Sequence, residues 1–206
     1  VYRELGRLNT LWRLNCGIIN LTGHMAAVNL AGPGSRQVLQ TLTAADIEEA
    51  SFPYLASRQL RVAGIPARVL RIGFVGELGY EIHVPADRGP ALWDALLEAG
   101  KAQGLRPFGV EAQRLLRLEK GHLIIGQDTD GLTTPDEASL DWAVKMDKPF
   151  FVGQRSLRII RKQPLKQQLA AFQLEAGGMD KVRDCHLVNA GGDVAGSIGL
   201  FDGEVV

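Results

Sequence analysis

Few residues in this chain have the type and spacing to do chemistry, and the spacing rules out most of the usual options. His24, His83, His122 and His186 are scattered, and none stands beside a serine or cysteine in a nucleophile motif. His186 follows Cys185, but neighbours in an extended run point to opposite faces, so no hydrolase triad is expected. Cys16 and Cys185 lie far apart, with no CxxC pair and no cluster at zinc spacing. Neither a disulfide framework nor a metal site is expected, and both cysteines read as buried or half-buried thiols. Asp128-Thr129-Asp130-Gly131 lacks the further ligands and closing glutamate of a calcium loop and reads as a solvated turn. The glycines at 73, 76 and 79 lack the G-x-G-x-x-G spacing and lead into a strand, so no dinucleotide site is expected.

One carboxylate stands out. In Tyr80-Glu81-Ile82-His83-Val84, period-2 alternation places Tyr80, Ile82 and Val84 on a core face, and Glu81 with His83 on the other. Two readings of Glu81 stand side by side. It forms a structural salt bridge with Arg114 or Arg117, or it recognises a ligand through two coplanar acceptors that match an amino group and an adjacent ring N–H. Shielded charge-assisted bonds of that kind contribute about 1.5–3 kcal/mol each.

The elements that must position these residues read as mixed helix and strand. Residues 11–29 suggest two short strands, and Ser35 suggests the cap of a helix to about Leu42, with a second capped turn over 44–50. Two extended runs within 57–75 flank Gly64-Ile65-Pro66 as a hairpin. Asp87 suggests a cap for a helix to about Gln103, ended by Gly104. A further helix over 110–120 is closed by Gly121. On it Ala112, Leu115, Leu116 and Leu118 read as the inner face, and Gln113, Arg114, Arg117 and Lys120 as the polar side. A short helix is expected after Pro135 and another over 153–160. Lys162-Gln163-Pro164 then reads as a linker, with strands at 168–174, 185–190 and 193–201.

Composition bounds the rest. With 206 residues and 46% hydrophobic content, the chain can bury a core. Its 23 basic and 23 acidic residues cancel, so no bulk field favours nucleic acid or an anionic membrane. No apolar run approaches the roughly 20 residues that span a bilayer, and no signal pattern opens the chain, so a cytoplasmic protein is expected. A start at Val1 and a stop at Glu204-Val205-Val206, directly after an apolar run, read as cut ends.

Four ordered blocks, residues 73–82, 109–121, 126–130 and 141–144, together resemble the aminomethyltransferase (glycine-cleavage T-protein) family. Within it the chain most resembles the folate-binding C-terminal region of the sarcosine oxidase alpha subunit, on Ser51-Phe52-Pro53-Tyr54, residues 63–68 and residues 120–136. The likeness spans nearly the whole chain. It implies an α+β fold, with an incomplete aminomethyltransferase-type folate-binding domain over 1–164 and the start of a β-barrel domain over 165–206. It also implies a tetrahydrofolate site in a central channel, to which a methylene unit from an oxidised N-methyl amine is passed.

On that resemblance Glu81 falls on the family's pterin-binding glutamate. Phe74 stands where the family commonly has tyrosine, and Phe74 or Tyr80 would form an aromatic wall. Gln113 and Arg114 stand where the pattern G-x-x-A-R-D has arginine and aspartate; a one-residue shift turns a helical side chain by about 100°, so Arg114 does not simply inherit that arginine's contact. The catalytic aspartate would lie upstream of Val1, so no catalytic residue is expected here. Flavin and NAD would sit on other regions of the parent chain or on partner subunits. The alternatives are a stand-alone aminomethyltransferase and a non-enzymatic folate-binding module. The latter's K-G-C-Y-x-G-Q-E segment is matched here by residues 120–127 without the cysteine and one residue longer.

Overall fold

Hydrophobic alternation and turn chemistry account for most of the first half of the chain. The computed structural model describes residues 1–165 and 167–170. It divides into two compact units, Val1–Phe108 and Gly109–Val206, each treated by itself.

In the first unit, α1 (Tyr2–Leu11) is followed by β1 (Met25–Ala31), α2 (Ser35–Thr41), β2 (Ser57–Val62), β3 (Ile65–Leu70), β4 (Gly79–Pro85) and α3 (Gly89–Gly100). The strands form one antiparallel sheet in the order β1-β4-β3-β2, so β4 and β3 are its inner strands. The helices α2 and α3 pack on one face of this sheet. Leu30, Val69, Tyr80, Ile82 and Val84 from the sheet meet Val38, Leu39, Leu92 and Leu96 from the helices, and Ile47 and Phe52 from the intervening loop.

Several expectations need correction. Residues 11–29 contribute to one strand, not two, and α1 precedes it. The β2–β3 turn is Ala63-Gly64, both with positive φ (50° and 75°), which is the two-residue turn whose twist suits a hairpin. Pro66 lies inside β3 opposite Arg61, beyond the segment of β3 that pairs with β4, so its missing N–H costs no ladder bond. Neither predicted cap forms. Ser35 is the first residue of α2, and its hydroxyl donates to the Leu78 carbonyl at 3.0 Å. Asp87 pairs with Arg88 at the start of α3. The turn expected over 44–50 is present, tied by the Thr43 and Asp46 side chains. Cys16 is exposed, not buried.

The second unit holds α4 (Val110–Glu119) and α5 (Gln154–Ile160). In place of a helix after Pro135, Thr134 and Glu137 exchange hydrogen bonds around a single turn. Arg161 then forks onto Asp136 at 2.8 and 2.7 Å. The fold is therefore α+β. The strands expected at 168–174, 185–190 and 193–201, and the barrel they would begin, lie outside the described residues apart from 168–170.

Candidate functional site

β4 carries the site because it is an inner strand with one face in the core. Its residues alternate as the sequence predicts: Tyr80, Ile82 and Val84 are buried, Glu81 and His83 half-buried. The register adds neighbours that a single strand cannot reveal. Asn29 of β1 and Leu70 of β3 flank Glu81, while Ala27 and Arg68 flank His83. Residues directly opposite share a face, so Asn29, Glu81, His83 and Arg68 occupy the side of the sheet away from the core. The Glu81 and His83 side chains are 38% and 30% exposed, and His83 Nε2 lies 3.3 Å from Glu81 Oε2. This half-shielded, planar pair of acceptors suits recognition of a group that presents adjacent N–H donors.

The loop before β4 fixes where that strand begins. A Cβ on Gly73 would lie 2.7 Å from the Glu77 carbonyl oxygen, and one on Gly79 would lie 2.8 Å from that of Ile72. The two glycines let backbone cross backbone at the loop's neck. Phe74 lies in this loop and is half-buried.

Tyr80, expected as an aromatic wall, is corrected. It is fully buried in the core, with its ring centroid 6.0 Å from that of Phe52. Its hydroxyl accepts from Arg36 Nε at 3.3 Å, and Arg36 also reaches Glu48 and Glu49. Arg71 joins the same Glu49 at 2.6 Å. Arg36 is held charged more firmly than an ordinary guanidinium, first by Tyr80 and then by Glu49. Tyr80 thus ties the sheet to the loop over residues 43–56 and has no face left for a ligand. A cleft of about 520 Å³ beside α2, which Arg36, Gln40 and Glu48 help to line, does not include Glu81.

Arg114 belongs to the second unit, on α4, where it is exposed and pairs with Glu111 at 2.9 Å. The polar side expected on α4 is corrected at Arg117, which is 1% exposed, while Leu115 and Leu116 are exposed. Arg117 forks onto Asp128, whose side chain is 10% exposed, and also donates to the His122 carbonyl at 3.0 Å. Asp128 further accepts from the Ile124 amide at 2.7 Å, so it is no solvated turn residue. Arg117 is therefore committed to Asp128 and the His122 carbonyl within its own unit. Among the described residues, no group of three or more His, Cys, Asp or Glu is placed to hold a metal, and no helix is long and apolar enough to cross a membrane.

Residues 1–148 match the family model described as the GCVT N-terminal domain. The chain belongs to this family. It is 35% identical over 164 residues to an aminomethyltransferase of Halothermothrix orenii, covering 80% of this chain and 45% of that protein. It is 37% identical to the mitochondrial dimethylglycine dehydrogenase of Homo sapiens, covering 79% of the chain and 19% of that protein. Against the sarcosine oxidase alpha subunit of a Corynebacterium species the identity is 40%, over 72% of the chain and 16% of the relative. The chain thus spans less than half the length of each of these relatives. Among solved structures, the aminomethyltransferase T of the Bartonella henselae glycine cleavage system superposes with a TM-score of 0.66 at 28% identity, covering 79% of this chain and 43% of that one.

Proposed function

We propose that this chain is the folate-binding segment of a one-carbon enzyme of the sarcosine oxidase alpha-subunit type. The observation that carries this reading is Glu81: a half-buried carboxylate on the non-core face of an inner strand, delivered by a pinched loop that belongs to the block resembling the family. Two coplanar acceptors fit the 2-amino group and ring N–H of a pterin. Bound tetrahydrofolate supplies the nitrogens that take up a methylene unit from an oxidised N-methyl amine. Glu81 orients the pterin edge, and the Phe74 ring offers an apolar wall. Arg114, exposed on α4 of the second unit, is a further candidate contact on the family resemblance alone. A cytoplasmic location, partner subunits, and flavin and NAD on other regions belong to the same proposal.

The test is calorimetric titration of the full chain carrying this sequence with tetrahydrofolate, comparing wild type with Glu81→Gln. Loss of a shielded charge-assisted bond weakens binding by roughly tenfold to a hundredfold. Equal affinities would overturn the reading. A second reading, a stand-alone aminomethyltransferase of glycine cleavage, is favoured by the likeness to the Bartonella henselae protein. Activity with sarcosine in one case, and with an aminomethyl-loaded lipoyl carrier in the other, separates the two.

A further inference from the structure

Glu81 has a companion that the proposed function leaves unused. We infer that His83 is a positioning residue, which holds the Glu81 carboxylate in the orientation that meets the ligand. The inference rests on the reading of Glu81 given above. Glu81 and His83 are two apart on β4 and therefore share the non-core face. His83 Nε2, 3.3 Å from Glu81 Oε2, is placed to donate to an ionised carboxylate, which can only accept. Oε1 lies outside that contact.

The need for such a partner follows from the glutamate's own freedom. A glutamate side chain loses much of its rotamer freedom when it is fixed. A carboxylate already tethered by a stiffer neighbour loses less of that freedom when the ligand arrives. The residues around the pair leave this role to His83. Leu70 and Ala27 carry no side-chain donor, Asn29 opposite Glu81 on β1 and Arg68 opposite His83 on β3 are exposed, and the contact of the carboxylate runs to His83. Both members of the pair are also accessible enough for a flat ligand edge to reach Glu81 from the open side of the sheet.

Titration of the full chain with tetrahydrofolate tests this with His83→Ala, His83→Gln, His83→Asn, Glu81→Ala and the Glu81→Ala/His83→Ala pair. His83→Ala weakens binding about threefold to tenfold, the worth of one hydrogen bond. Glutamine, whose amide nitrogen matches Nε2, restores most of that loss, whereas asparagine, which matches Nδ1, does not. In the Glu81→Ala background the His83 change adds nothing, because His83 acts only through Glu81. The preference for tetrahydrofolate over its 2-desamino analogue also shrinks in His83→Ala, a change that a merely structural histidine would not cause. If Glu81→Ala binds as tightly as wild type, the folate reading itself fails. If Glu81→Ala weakens binding but His83→Ala does not, or if the two losses simply add, that reading stands and the role of His83 is overturned. Should His83→Ala not fold, the contrast between glutamine and asparagine decides alone, and equal affinities for those two would sink the inference.

Discussion

Arg117 and Asp128 show how far a side chain's surroundings depend on residues distant in sequence. On a bare helical wheel Arg117 belongs with Arg114 and Lys120, yet the turn ending at Asp128 returns a carboxylate to it and closes it from water. Removing one partner of a buried pair leaves the other charge uncompensated. Asp128→Ala should cost about 3–5 kcal/mol in denaturant unfolding, and the Arg117→Met/Asp128→Leu double replacement distinctly less. Tyr80→Phe keeps the ring against Phe52 but loses the Arg36 hydrogen bond, for an expected cost of about 1 kcal/mol in the same measurement. Asp136 gives a pH-dependent prediction. The Arg161 fork holds its carboxyl below the usual range, so the folded chain releases that proton more readily than the unfolded one. The pair's contribution is complete above the ordinary aspartate pKa of about 3.9 and is lost as pH falls through the lower folded value. Asp136→Asn should flatten the fall in stability as pH drops below about 4, as read by urea unfolding.

Among the elements, those with a strong hydrophobic period were the legible ones. Strand β4 alternates as written, and with it came the placement of Glu81 and His83, because both follow from period 2 alone. The spans of α3 and α4 were likewise legible, with Gly104 and Gly121 both taking positive φ, but the apolar spacing of α4 misassigned its faces, since Arg117 is buried and Leu115 and Leu116 are exposed. What could not be read depended on a partner elsewhere. The Ser35 hydroxyl is drawn to a carbonyl 43 residues away instead of capping its own helix. Asn29 and Arg68 join the site only through strand pairing, which one sequence does not encode locally. The neck of the loop before β4 makes its own prediction. A Gly79→Ala methyl group would press on the Ile72 carbonyl, backbone that can yield only by moving β3 against β4. The variant should be destabilised by about 1–3 kcal/mol in thermal or denaturant unfolding.

At the scale of the molecule, the first unit's hydrophobic cluster, with the side chains packed on it, runs from Ala26 to Leu105, entirely within Val1–Phe108. A fragment of residues 1–108 should therefore unfold cooperatively, with a sigmoidal denaturant transition by circular dichroism; a gradual, featureless melt would contradict that independence. The pinch between Gly73 and Gly79 has one more consequence, for how such a domain can change over time. Loops usually tolerate insertion, but this one feeds directly into a strand whose two faces have opposite assignments. One residue gained or lost between 72 and 79 would turn Ile82 toward water and drive an acid and an imidazole into the apolar interior. Chains with that error would fold badly whatever Glu81 does, so the hydrophobic core proofreads which face of the sheet that carboxylate takes.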